Sequence, residues 1–143
     1  MFFPSVAFCF FSGFQPIKVE LYVKPQDLNA EQLQIFVDSM QQMDGLNALV
    51  QNLRRSHNVL ENALTKSGLE ITMECPNLDS LEKLLNDHET GRLNEVAERN
   101  LVTEEIKMVL CLETVRLETV FKEHSYLEIL SKFHISFVKR ILT

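Results

Sequence analysis

The sequence predicts an α+β fold, a two-layer α/β sandwich in which a small, mostly antiparallel sheet of three to four strands packs helices on one face. Three observations lead there. Separate stretches alternate apolar and polar residues with period two. Each of them has one apolar and one charged face, whereas strands covered on both faces read as continuous apolar runs. Between them the period changes to that of a helix, with capping residues at the changes.

The first alternating stretch places Ile17, Val19, Leu21 and Val23 on one face and Lys18, Glu20, Tyr22 and Lys24 on the other. Asn29 followed by Gln32 is a variant of the capping box and predicts a helix start, with Leu33, Phe36, Val37 and Met40 on one stripe. Asp44-Gly45 breaks that run. Leu46, Val50, Leu53, His57, Leu60 and Leu64 then follow with spacings that alternate between four and three. That is heptad spacing, which either a helix lying on a sheet or a self-associating helix produces. The second strand sets Leu69, Ile71, Met73 and Cys75 against Glu70, Thr72 and Glu74.

After Pro76, Asn77 is placed to cap a helix whose inward residues are Leu78, Leu81, Leu84 and Leu85. Gly91 stands where a left-handed residue ends a helix, and the next helix turns Leu93, Val96, Ala97 and Leu101 to one side. Thr103 with Glu104 and Glu105 reads as a fresh helix start, the acids lying at its positive end. A third strand sets Val115, Leu117, Thr119 and Phe121 against Thr114, Arg116, Glu118 and Val120. A final helix carries Tyr126, Leu127, Leu130, His134, Phe137 and Ile141. A fourth strand has no clear place in the pattern.

Composition bounds the function. A chain of 143 residues is one domain's worth and long enough to bury a core without a metal or disulfide staple. The net charge of −6, with no Lys/Arg run longer than Arg54–Arg55 or Lys139–Arg140, offers no basic stripe for nucleic acid. Cys9, Cys75 and Cys111 show no C-x-x-C spacing and suit reduced thiols in a cytoplasmic protein, with Cys75 and Cys111 as small buried residues. The segment MFFPSVAFCFFSGF holds six of the ten Phe; it is signal-like but has no basic residue before Lys18, and Pro4 interrupts it. Residues 1–15 are therefore read as an apolar tail, 16–143 as a single domain, and no membrane partner is expected.

The densest polar stretch is NDHETGRLNEVAERNL, residues 86–101. A metal or acid–base site there would need partners three or four residues apart on one helix face. His88 and Glu89 are adjacent and diverge, and Glu95 can pair with Arg99 along the helix. The stretch reads as a structural corner with a solvated face. His57, His88, His124 and His134 have no H-x-x-x-H or H-E-x-x-H spacing, and His57 and His134 fall on apolar stripes as core or rim histidines rather than ligands. No phosphate-binding glycine loop and no G-x-S-x-G occurs, so the reading is non-enzymatic, with no cofactor and no metal.

The segments LEITMECPNLDSLEKLLNDHETGRLNEVAERNL and VRLETVFKEHSYLEILSKF resemble the N-terminal domain of the TRADD-type death-domain adaptors. They look still more like related modules in multidomain immune and apoptotic proteins of invertebrates. The most specific part is a strand ending in Cys75, a leucine helix, the acid-rich turn to Gly91 and a helix beginning Leu93-x-x-Val96-Ala97. VELYVKPQDL and the capped helix after it fit the same scheme, so the resemblance covers roughly residues 17 to 133.

The resemblance implies an α/β sandwich acting as an adaptor or scaffold in death-receptor or innate-immune type signalling. In that family the exposed sheet face docks a TRAF-domain trimer, partly through aromatics on the first strand. Tyr22 stands where one such aromatic would lie, and Glu20 replaces a second. The expected contacts are Lys18, Glu20, Tyr22, Glu70, Thr72, Arg116 and Glu118. The alternative reading is a homo-oligomerisation module using the Leu46–Leu64 stripe as a helix.

Overall fold

The computed structural model describes residues 15–41 and 44–142, with side chains as far as Lys132. The apolar tail read at residues 1–15 lies almost wholly outside the described residues, as do the side chains of His134, Phe137 and Ile141. Strand β1 (Ile17–Pro25) leads through Asn29 into α1 (Ala30–Gln41) and then α2 (Gly45–Arg54). A hairpin of β2 (Asn58–Thr65) and β3 (Gly68–Cys75) follows. Helices α3 (Leu78–Glu89), α4 (Arg92–Leu101) and α5 (Glu104–Leu110) come next, then β4 (Leu117–Phe121) and α6 (Glu123–Leu142).

The four strands form one fully antiparallel sheet in the order β2-β3-β1-β4. Alternation decides which side meets the helices. Ile17, Val19, Leu21 and Val23 of β1 are buried there with Leu69, Ile71, Met73 and Cys75 of β3. Phe36, Val37 and Met40 of α1, Leu81 and Leu84 of α3, and Leu93, Val96, Ala97 and Leu101 of α4 close over them in one cluster. Each large apolar side chain so buried contributes about 1.5–3 kcal/mol, which is why the helical stripes and the strand faces must meet.

Local signals set the helix ends. Asn29 and Gln32 bond reciprocally, Gln32 N–H to Asn29 Oδ1 at 2.8 Å and Asn29 N–H to Gln32 Oε1 at 3.0 Å. Asn77 Oδ1 accepts from Ser80 N–H at 2.8 Å, and Thr103 Oγ1 accepts from Ile106 N–H at 3.2 Å. Gly91 has φ 81°, the left-handed value its position calls for. Gly45 serves a different need: a Cβ there would run into the backbone carbonyl of Asn100, so its absence lets the start of α2 lie against the end of α4.

The structure corrects the reading of Leu46–Leu64 as one helical stripe. Helix α2 stops at Arg54, and Leu60 and Leu64 belong to β2. The heptad spacing is a coincidence across a helix-to-strand junction at Ser56–His57. A fourth strand was hard to place because β2 has a register shift between Val59 and Glu61, which breaks period two. Pairing with β3 through the Lys66–Ser67 turn makes it a strand, although its own sequence does not alternate.

Helix α6 also differs from its pattern. Among its described side chains the inward ones are Ser125 and Ile129, both fully buried, whereas Tyr126, Leu127 and Leu130 are 43%, 57% and 42% exposed. Ser125 is drawn in because its Oγ accepts from Glu20 N–H at 2.9 Å, satisfying β1 where β4 has ended. Cys111, expected to be buried, is exposed and ends α5 in the left-handed region at φ 58°.

The polar corner at 86–101 is structural, and part of it is not solvated. Among the described residues no strand lies beside the outward edge of β4, and side chains from α3 and α4 take that place. Asn94 Oδ1 accepts from Thr119 N–H at 2.9 Å, Glu98 Oε2 accepts from Leu117 N–H at 3.0 Å, and His88 Nε2 donates to Thr119 O at 3.0 Å. Asn94 and Glu98 are four apart, so one helix face serves both. Asp87 pairs back to Lys83 at 3.3 Å, and Glu95 and Arg99 form no ion pair among those of the described residues.

Candidate protein-interaction face

On the side of the sheet away from the helices stand Lys18, Glu20, Tyr22 and Lys24 of β1, Glu70, Thr72 and Glu74 of β3, and Glu118 and Val120 of β4. All are exposed or half-buried, so no described element covers this face. Register fixes the neighbours: Tyr22 lies opposite Glu70 on one side and Val120 on the other, Glu20 opposite Thr72, Lys18 opposite Glu74, and Lys24 opposite Glu118.

At the centre is a charged cluster around one aromatic ring. Lys122 follows β4 and reaches Glu70 Oε1 at 2.7 Å and Glu20 Oε1 at 3.7 Å. His124 Nε2 meets Glu20 Oε2 at 2.6 Å. The ammonium groups of Lys122 and Lys24 lie 5.0 and 5.8 Å from the centre of the Tyr22 ring, within cation–π range. Hydrogen bonds from Lys122 and then Tyr22 hold the Glu70 carboxyl below its ordinary range. The bond to Glu70 correspondingly raises Lys122.

The structure thus brings Glu20, Tyr22, Glu70 and Thr72 together. Glu118 lies nearer the end of the face, where its Oε2 accepts from Gln26 Nε2 at 2.8 Å. Lys18 is exposed at the start of β1. Arg116 precedes β4, and its carbonyl takes the Gln26 N–H at 2.9 Å. Lys122 and His124 were missed in the sequence, although the parity of Arg116, Glu118 and Val120 continues to Lys122. Glu20, in place of an aromatic, is not an unpaired charge: two basic side chains of the same chain answer it.

Other polar groups differ in kind. His57 is buried, its Nδ1 2.7 Å from Ser80 Oγ. Burial pushes the Cys75 thiol up to about 11, which keeps it protonated and a poor nucleophile near neutrality. No group of three or more His, Cys, Asp or Glu among the described residues is arranged to hold a metal ion.

Residues 44–106 match the TRADD-like N-terminal domain. That stretch, a little under half of the chain, is similar to TRADD-like N-terminal domains. The match runs from the start of α2 through β2, β3, α3 and α4 into α5, so it includes Glu70 and Thr72, while β1 and β4 lie outside it. No curated protein matches the chain. The TRADD-like class is an adaptor-type protein-interaction domain, and the match supports that class here. Among the described residues, no helix is long and apolar enough to cross a membrane.

Proposed function

We propose that this chain is a non-enzymatic adaptor or scaffold module that binds a signalling protein, of which a TRAF domain is the first candidate, through the open face of its sheet. The pathway this implies is death-receptor or innate-immune signalling in the cytoplasm. One observation carries the reading: Tyr22 sits half-buried at the middle of an uncovered sheet face, with the charges around it paired. An aromatic so placed gives a partner apolar area, and paired charges cost less to desolvate than lone ones. Lys18, Glu20, Glu70, Thr72, Arg116 and Glu118 are the contacts proposed around it.

The test is a calorimetric titration with purified TRAF C-terminal trimers, repeated with Tyr22→Ala. Saturable heat that the substitution weakens while the far-ultraviolet spectrum stays unchanged is the expected result. Unchanged affinity in Tyr22→Ala removes the sheet face, and no heat at high concentration removes the TRAF partner.

A further inference from the structure

Away from the sheet face, a small cavity of about 150 Å³ opens where the end of α2, the outer side of α3 and the first turn of α4 converge. Arg55, Lys83 and Arg92 line it together with His57, Asn52 and a single carboxylate, Asp87. In a chain of net charge −6 this is a concentration of positive charge. Asp87, paired with Lys83 at 3.3 Å, offsets one of these charges, and Arg55 and Arg92 leave a positive surplus. The larger groove beside Glu95, Glu98, Arg99 and Lys107 has its acids and bases balanced.

His57 is the second observation. It is 4% exposed, and its Nδ1 is engaged with Ser80 Oγ. Ser80 spends its one hydroxyl hydrogen on the Ser56 carbonyl at 2.8 Å, so the ring must donate at Nδ1. That leaves Nε2 with the lone pair. It has no hydrogen-bond partner among the described residues, yet it is not a sealed unsatisfied atom, so it opens onto the cavity His57 lines. Two backbone acceptors there are occupied: the carbonyls of Asn52 and Leu53 take N–H groups of Arg55, Ser56 and His57 at 3.0 to 3.3 Å. Helix α4 begins at Arg92 without a side-chain cap, so its positive end also contributes.

We propose that this cavity is a binding site for a phosphate monoester group, held by Arg55, Arg92 and Lys83 and hydrogen-bonded to His57 Nε2. Its size decides against a whole nucleotide or drug-like ligand, which needs about 300 Å³ or more. A single phosphoryl group fits, with the rest of its bearer outside. Guanidinium groups match phosphate oxygens in paired hydrogen bonds. With a second pKa of about 6, a phosphate monoester keeps its last proton about a tenth of the time at pH 7 and more often in weak acid, and that P–OH would donate to Nε2. If the proton moves to the imidazole, the same hydrogen bond forms with the roles exchanged. Asp87, Lys83, Arg55 and Arg92 are the charges that face the ring in either state.

The site is independent of the proposed partner face. The experiment titrates the full chain with inorganic phosphate, a phosphoserine peptide and the same peptide unphosphorylated, following the His57 imidazole signals by NMR. Saturable shifts with a phosphorylated probe, none with the unphosphorylated peptide, and at least a ten-fold weakening in the Arg55→Ala/Arg92→Ala protein are expected. Tighter binding of the phosphopeptide would identify a phosphorylated protein as the source. Equal or tighter binding of inorganic phosphate would identify a small free phosphate. Absence of saturation into the millimolar range, or binding that the double substitution leaves unchanged, overturns the site. Both arginines are exposed, so their loss does not threaten the fold.

Discussion

Lys122 and Glu70 meet at 2.7 Å across the width of β1, one side chain arriving from beyond β4 and the other from β3. Tyr22 lies between them on the intervening strand, so the pair ties three strands together over a single ring.

The first prediction concerns that pair. Lys122 holds the Glu70 carboxyl down, so Lys122→Met moves it back toward its ordinary value of 4.5. A carboxyl depressed in the folded state adds stability above its unfolded pKa, and that stability is lost as pH falls through the folded value. The Lys122→Met protein therefore shows a shallower loss of stability in acid. An NMR titration of Glu70 that gives the same midpoint in both proteins would count against the pair.

His57 also loses stability in acid, but because its charged form is disfavoured rather than favoured. Burial lowers its pKa from 6.5, outweighing the attraction of Asp87. The unfolded chain then takes up a proton that the folded chain resists, so stability falls as pH drops below 6.5 and levels off beneath the folded value. His57→Asn keeps a donor toward Ser80 and loses the titration. Urea midpoints measured across weakly acidic pH are expected to slope less in the variant.

Asn94→Ala tests the sealed edge of β4. It leaves the Thr119 N–H without its 2.9 Å acceptor, and leaving such a buried donor unpaired costs about 1–3 kcal/mol. Amide exchange at Thr119 is expected to speed up together with the loss of stability. Unchanged exchange there would mean the edge does not depend on Asn94.

Gly45→Ala is expected to destabilise by about 1–3 kcal/mol, the range for overpacking a close contact, because the new methyl meets the Asn100 carbonyl. A thermal melt of the variant checks it, and an unchanged or raised midpoint would show that α2 and α4 can part without cost.

How much of this was legible depended on how far the deciding contact lies along the chain. The caps at Asn29, Asn77 and Thr103 bond within three residues, and each reads directly from the sequence. The core faces of β1, β3 and α4 follow from one uninterrupted period apiece. Strand β2 was hidden because its partner decides its structure and its bulge erases the alternation. Ser125 gave no sign of burial, since it bonds to a backbone group 105 residues away. At the sheet face, the β1 and β3 residues were visible from parity alone. Lys122 and His124 sit just past Phe121, the last buried residue of β4, where the strand ends. The His57 cavity needed three helices to converge, and no spacing records that.

The two edges of the sheet are unlike, and the difference limits how the chain can assemble. Beside β4, side chains from α3 and α4 occupy the positions a fifth strand's backbone would need. Among the described residues, strand-to-strand addition is left to β2 alone. A molecule with a single usable edge can join one copy of itself edge to edge, and the joined pair then offers nothing further to extend. Such pairing closes at two, whereas a fibre needs two open edges on every member.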